Sequence, residues 1–171
     1  MHLRAETFSE QSVLEVGRTA DGFVVRVAGR GSMHESPGLT AFAAETLGAT
    51  PGAGFTIDLS ACEYLDSTFL GCLVGLHKKF NSDGSLRVRV AGSDERLARL
   101  FGPSGLDRIL PRGTDPDEVD QWLAVPAVRL DRHRLGEHLL ECHRRLADAG
   151  GPQAETFAAV ADHLERELEP S

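Results

Sequence analysis

Two neighbouring hydroxyl side chains follow an aspartate at Asp66-Ser67-Thr68, directly before an apolar run that starts at Phe69. Apolar side chains recur at helical spacing from Thr68 to about Phe80, which predicts a helix that begins at these hydroxyls. A helix N-terminus has unpaired N–H groups and a partial positive charge, so it favours a bound phosphate. A phosphate on Ser67 would add about −1.5 to −2 charges to the surface there. The spacing therefore predicts a phosphorylation switch at Ser67.

The same residues have two other interpretations. Ser67 suits the N-cap of the predicted helix, in which case it only caps; Asp66 suits the N-cap equally, which would leave the Ser67 hydroxyl free. A serine nucleophile would instead need a base within hydrogen-bond reach, and no Gly-x-Ser-x-Gly elbow surrounds Ser67. His77 lies about ten residues along the same helix and is too far away, so only His34 is left as a candidate base. We therefore expect a binding protein without catalytic residues rather than an enzyme.

Composition narrows the classes of partner. The chain has 171 residues, is 41% hydrophobic and carries a net charge of −8, which argues against direct binding of nucleic acid. No apolar run approaches the roughly 20 residues of a membrane span, and the first residues lack the apolar centre of a signal peptide, so we expect a cytoplasmic protein that binds no membrane. Three separated cysteines indicate reduced, buried thiols rather than disulfides or a metal site.

The elements around Ser67 predict an α/β fold. Two strands flank the turn at Asp21-Gly22, and loops are expected at 29–32 and 36–38. Helices are predicted at 39–47, 68–80 and 93–101, with Ser93 as a cap, and strands at 55–59, 86–90 and 109–110. The strand at 55–59, the helix at 68–80 and the strand at 86–90 follow one another, which predicts that the two strands are parallel. A last helix is expected after Asp115-Pro116, anchored on the sheet by Trp122.

The pattern changes after Pro126, where only helical periodicity is left. Two narrow apolar stripes, separated by Gly150-Gly151-Pro152, predict an antiparallel helical hairpin that packs against the domain or against a second subunit as a homodimer. The stripes consist of Leu135, Leu139, Cys142 and Leu146, then Phe157, Val160, Ala161, Leu164 and Leu168. Three histidines of the first of these helices are expected at its surface: His133, His138 and His143. Residues 8–125 are thus predicted to form one domain and residues 126–171 a hairpin extension.

The order of elements resembles the STAS family, the domain of bacterial anti-sigma factor antagonists and of sulfate-transporter tails. The resemblance spans most of residues 10–125 and rests on four short segments: Asp58-Leu59-Ser60, Leu65-Asp66-Ser67-Thr68 with Leu70-Gly71, Leu97-Ala98-Arg99-Leu100-Phe101, and Ser104-Gly105-Leu106-Asp107. It implies a mixed β-sheet flanked by helices, with the helical hairpin added at the C-terminus.

In this family a serine kinase that is also an anti-sigma factor phosphorylates the antagonist, and a metal-dependent phosphatase of the PP2C type reverses the reaction. Only the unphosphorylated form binds the kinase. The resemblance implies that Ser67 is the acceptor, with Thr68 as second candidate, and that Asp66 holds the loop. It implies signal transduction by partner switching, with no cofactor. A constitutive scaffold or a ligand-sensing STAS module, in which Ser67 only caps, stays the alternative.

Two positions depart from the family pattern beside Ser67. Phe69 stands where antagonists of the common type have a glycine, and we expect it to be exposed and to change the docking surface. Gly29-Arg30-Gly31-Ser32 replaces an acidic turn, so Arg30 and Ser32 are expected to contact the partner. These differences imply a variant partner kinase. The predicted partner-binding residues are therefore Asp66, Ser67, Thr68, Phe69, Arg30 and Ser32.

Overall fold

The computed structural model describes residues 13–116 and 118–170, which form six strands and five α-helices. The strands are β1 Val13–Thr19, β2 Gly22–Gly31, β3 Gly54–Asp58, β4 Cys62–Leu65, β5 Val88–Ala91 and β6 Leu123–Ala124. The helices are α1 Ser36–Ala49, α2 Ser67–Phe80, α3 Asp94–Phe101, α4 Arg132–Asp148 and α5 Ala154–Leu168. Two short 3-10 turns follow α3, at Gly102–Ser104 and Leu106–Arg108.

The strands form one mixed sheet in the order β5-β3-β2-β1-β6, and β4 pairs with the far end of β2. β1 is antiparallel to β2 and β6, whereas β2, β3 and β5 run parallel to one another. The parallel pair β3 and β5 is connected through α2, as the strand-helix-strand pattern predicts. The predicted α/β fold, a mixed sheet flanked by helices, is confirmed.

The hydrophobic core lies between the sheet and the helices α1 and α2. Its largest fully buried side chains come from the central strands, from both helices and from the turn after α3: Val25, Phe55, Ile57, Leu39, Leu47, Phe69, Leu73 and Leu106. Burial of so much apolar surface on both helices fixes the rotation of α2 about its own axis, because its apolar stripe must face the sheet. That rotation decides which residues of the first turn of α2 reach the surface.

Two predicted elements are wrong. No helix follows Asp115-Pro116, because residues 118–122 are irregular and Leu123–Ala124 form β6 on the free edge of β1. Trp122 therefore anchors no helix; its ring stacks on the guanidinium of Arg26, at 4.0 Å from the centroid. The predicted strand at 109–110 is also absent, since this segment follows a 3-10 turn. Pairing with a free strand edge outweighs a weak local helical pattern here.

Two further strand segments were not predicted by the sequence. β2 continues through Gly29-Arg30-Gly31, which the sequence predicted as a loop, and the true loop starts at Ser32. β4 occupies the segment between β3 and α2 that looked irregular, and it pairs with this extension of β2. Both segments are short, and each supplies the other's hydrogen-bond partners, so neither has a strong periodic signal by itself.

The C-terminal hairpin is present and forms a layer outside α2. α4 and α5 are antiparallel, with Gly136 near Leu168 and an ion pair of 2.6 Å between Arg144 and Glu165. α4 packs along α2 of the same chain. The division at residues 125 and 126 stays a prediction, and its predicted start at residue 8 lies outside the described residues.

Candidate functional site

Asp66 is the N-cap of α2 and also connects the start of this helix to the loop that contains Met33. Its carboxylate accepts hydrogen bonds from the backbone N–H of Phe69 at 2.9 Å and of Met33 at 2.8 Å. The N–H of Asp66 itself donates to the carbonyl of Gly31 at 2.9 Å. Of the two caps that the sequence allowed, the structure has Asp66, which leaves the Ser67 hydroxyl available for another partner.

That partner is His143 in α4. The Oγ of Ser67 lies 2.9 Å from Nε2 of His143, and Nδ1 of the same ring lies 2.7 Å from the carbonyl oxygen of Leu139. A carbonyl oxygen only accepts, so Nδ1 carries a proton, and in the neutral ring Nε2 accepts the hydroxyl proton of Ser67. Ser67 is half-buried and His143 is 6% exposed. The surface location predicted for His143 is therefore wrong.

The other predicted site residues fall into two groups. Thr68 is 4% exposed and Phe69 is fully buried in the core, so the prediction of an exposed Phe69 is wrong. The cause is the rotation of α2, which directs position 69 towards the sheet. Arg30 is exposed, with its guanidinium 5.1 Å from the ring centroid of Tyr64, whereas Ser32 donates to Glu35 from both its N–H and its hydroxyl. The roles of Arg30 and Ser32 in partner binding stay predictions.

Ser67 also borders an open groove of about 510 Å³ between β4, the end of α3 and α5. Its walls include Tyr64, Leu70, Arg99 and Phe157. Tyr64 is 50% exposed, which is unusual for an aromatic side chain next to a core. Ser67 is thus one of the residues that line this groove while the hairpin lies on α2.

A second serine and histidine pair lies along the same helix contact. Oγ of Ser36 is 2.8 Å from Nε2 of His138, which also lies 3.7 Å from the thiol of Cys142. Ser36 is fully buried. Two imidazoles in the middle of α4 therefore meet hydroxyl groups of the domain, and the Ser67 pair lies beside an open groove.

Two glycines bring α2 and α4 unusually close. Gly71 and Gly75 are spaced by four residues on one face of α2. A Cβ placed on Gly71 would lie 2.6 Å from Cβ of Cys142 and closer still to its carbonyl oxygen, whereas one on Gly75 would meet the side chain of Arg145. The helices touch through backbone at Gly71, which only a residue without a Cβ permits.

Two features of the sequence indicate this contact, and the predictions did not use them. His143 adjoins the apolar stripe of α4, next to Cys142 and four residues after Leu139. The spacing of Gly71 and Gly75 is typical of closely packed helices. Neither signal names the opposite helix, and only the tertiary structure brings His143 to Ser67.

The three cysteines are free and buried, as predicted. Burial raises the pKa of the Cys72 thiol to about 11 and also raises that of Cys62 and Cys142. A thiol with a raised pKa is a poor nucleophile until it is exposed. Among the described residues, no three histidine, cysteine or carboxylate side chains converge as metal ligands.

Acid is expected to weaken the hairpin contact through His138. Burial first, and the charge of Arg145 second, lower the pKa of His138 below 6.5, against smaller opposing effects of Glu141 and Asp66. The unfolded chain then binds the proton more readily, so the stabilisation is complete above pH 6.5 and is lost as the pH falls towards the folded-state pKa.

Urea unfolding of the wild type and His138→Gln between pH 7.5 and 5 measures this effect. We expect the difference in unfolding free energy between the two proteins to shrink as the pH falls. His133→Gln, at an exposed position of the same helix, is the control. A difference that stays constant with pH would contradict the assignment.

Comparison with known proteins agrees with this architecture. A family model described as Mlab, STAS domain matches residues 14–111, more than half of the chain. An anti-sigma factor antagonist from Mycobacterium paratuberculosis is 25% identical, with a TM-score of 0.50 over 60% of this chain and 86% of that one. A proposed anti-sigma factor antagonist from Thermotoga maritima is 19% identical, with a TM-score of 0.50 over 58% and 84%, and shares the fold. None of the curated proteins matches significantly.

Across residues 13–116 and 118–170, the helices are too short or too polar to cross a bilayer. The matched region runs from β1 to the residues just after the last 3-10 turn, and it includes Ser67 and its Asp66 cap. α4 and α5 follow it in the sequence. By the extent of this match, the chain belongs to the STAS domain family.

Proposed function

We propose that this protein is a phosphorylation-gated binding protein of a bacterial partner-switching pathway, similar in role to anti-sigma factor antagonists. Its partner is a serine kinase that is also an anti-sigma factor, which binds when Ser67 is unphosphorylated. A phosphatase of the PP2C type removes the phosphate. Membership of the STAS family and the similarity to the Mycobacterium paratuberculosis antagonist support this role.

The observation that carries the proposal is the position of Ser67. It is the first residue of α2, it is half-buried beside a groove, and its hydroxyl is not used as the cap because Asp66 has that role. Thr68 is 4% exposed, so Ser67 is the better acceptor of the two.

A phosphate at Ser67 suits the first turn of a helix and opposes a protein contact. The unpaired N–H groups and the helix dipole stabilise the doubly charged ester without unfolding α2. A partner that covers the same surface would have to desolvate that charge, and each loss of about 1.4 kcal/mol weakens binding tenfold.

The direct test uses the serine kinases with anti-sigma activity that the same genome encodes, together with ATP and mass analysis of the product. We expect one phosphate on Ser67, its loss in Ser67→Ala, and its retention in Thr68→Val, which keeps the buried shape of Thr68. Ser67→Asp should bind the kinase at least about tenfold more weakly than wild type. Ser82→Asp, at an exposed site beyond the other end of α2, should bind normally.

Two results would overturn the proposal. One is phosphorylation that persists unchanged in Ser67→Ala. The other is equal affinity of the kinase for wild type and Ser67→Asp, which would favour a constitutive scaffold in which Ser67 has a structural role only.

The contact of Ser67 with His143 favours one second candidate, a serine nucleophile. His143 supplies the base that the sequence alone did not reveal, and the groove gives a substrate access. Hydrolysis of p-nitrophenyl acetate that disappears in Ser67→Ala but persists in Ser36→Ala would support it. Under the partner-switching proposal, wild type and Ser67→Ala have the same background rate.

A further inference from the structure

The hairpin lies on the part of α2 that a partner of Ser67 would need. The Ser67 hydroxyl is bonded to His143, and the next turn of α2 meets the backbone of α4 at Gly71. A kinase must surround the acceptor hydroxyl with its own groups to transfer a phosphoryl group. It cannot do so while the imidazole of His143 occupies that position.

Among the described residues, the hairpin contributes three buried side chains to the hydrophobic core of the domain: Cys142, Leu146 and Phe157. The hairpin side chains that are buried are few: Cys142, His143, Leu146, Phe157 and Ala161. Most other side chains of α4 and α5 are exposed or half-buried. α4 is connected to the domain by hydrogen bonds with Ser36 and Ser67, and the turn between α4 and α5 brings Gly151 close to the backbone of Ser104. A unit with few buried apolar contacts opens at lower free energy than the core strands.

The chain joining the hairpin to the sheet permits such an opening. Val125 is the last residue held by β1, through its N–H to the carbonyl of Leu14. Residues 126–131 have no regular structure, and α4 begins at Arg132. Residues 126–128 pack closely against Gly38 of α1, so the hairpin can leave α2 by rotation in residues 129–131 without breaking a strand of the sheet.

We propose that the hairpin, residues 131–168, is an intramolecular cover of the docking surface on α2, and that the kinase binds after the hairpin has moved away. This inference rests on the proposed function, since it concerns the partner of Ser67. The covered surface fits a partner helix that, like α4, approaches closely at Gly71 and accepts a hydrogen bond from Ser67.

The native cysteines report the opening without any partner. Cys142 lies in the contact between α4 and α2, whereas Cys62 lies in β4, and both are fully buried. Labelling of the wild type with iodoacetamide under native conditions should modify Cys142 at least about tenfold faster than Cys62, because Cys142 needs only the local opening. Equal rates at both thiols would overturn the proposal, since the hairpin would then open only when the whole domain unfolds.

A hairpin variant tests whether the cover competes with the partner. Cys142→Glu puts a charged side chain against α2 and leaves the surface of α2 itself unchanged. The kinase that modifies Ser67 should bind this variant with a Kd about tenfold lower than wild type. His133→Glu, an exposed position on α4, should bind like wild type.

Unchanged or weaker binding of Cys142→Glu would show that the hairpin does not cover the docking surface, and would overturn the proposal. Circular dichroism and the labelling rate of Cys62 establish that this variant keeps a folded domain. If no kinase modifies Ser67, the proposed function fails, and the ratio of labelling rates still decides whether the hairpin opens by itself.

Discussion

Replacing Phe69 with alanine is expected to lower the free energy of unfolding by about 3–5 kcal/mol. Phe69 is fully buried and belongs to the core that α2 forms with the sheet. Alanine would leave a cavity in this packed region, and the neighbouring strands cannot move to fill it. Urea unfolding followed by circular dichroism measures the change.

Tyr64→Ala is the matched control, because Tyr64 is an aromatic residue of neighbouring β4 that is 50% exposed. It should change stability by less than about 1 kcal/mol. If Phe69→Ala were as mild as Tyr64→Ala, Phe69 would not be a core residue in solution. The sequence-based prediction of an exposed Phe69 on the docking surface would then regain support.

Gly71→Ala is expected to separate the hairpin from α2 while the domain stays folded. The added methyl group would meet the backbone of Cys142, which cannot rotate away as a side chain can. Overpacking of this kind costs about 1–3 kcal/mol, whereas alanine in place of glycine stabilises a helix interior by about 1 kcal/mol. The overpacking destabilises the contact between α2 and α4, whereas the higher helix propensity of alanine stabilises α2 itself.

Iodoacetamide labelling of Cys142 in Gly71→Ala should therefore be faster than in wild type, by about tenfold for a loss of about 1.4 kcal/mol at the contact. The rate at Cys62 should not rise. Gly48→Ala is the matched control, since a Cβ at this helical position meets no described atom within 4 Å.

Gly75→Ala gives a graded comparison. The atoms nearest to its added methyl group belong to the side chain of Arg145, which is long and can move, so the labelling rate of Cys142 should change less than in Gly71→Ala. Equal rates in Gly71→Ala and Gly48→Ala would contradict the close backbone contact between α2 and α4.

The consequence for function is that Ser67 has two competing environments. In the closed chain its hydroxyl is hydrogen-bonded to the imidazole of His143 in the same molecule. In the proposed complex the same hydroxyl faces the kinase. The free energy of hairpin opening would then reduce the apparent affinity of the partner, by the fraction of molecules that are open.

Much of the fold follows from local patterns in the sequence. Apart from β4, the order of strands and helices through β5 is visible as apolar periodicity, and so are the two C-terminal helices; Asp66 and Ser93 are visible as capping residues before apolar runs. Such signals depend on neighbours within a few residues, so the sequence contains them completely. The helix that was wrongly predicted after Asp115-Pro116 and the strand β4 that was not predicted both lie where pairing with a distant strand decides the conformation.

By itself, the sequence determined that a hydroxyl follows an aspartate at the start of α2 and that two amphipathic helices end the chain. Only the tertiary structure decided that Phe69 points into the core and that His143 meets Ser67. The reason is physical: the direction of a side chain depends on how its helix rotates to bury apolar surface, and a contact across 76 residues depends on which helices pack together. Neither quantity is encoded in the spacing of neighbouring residues.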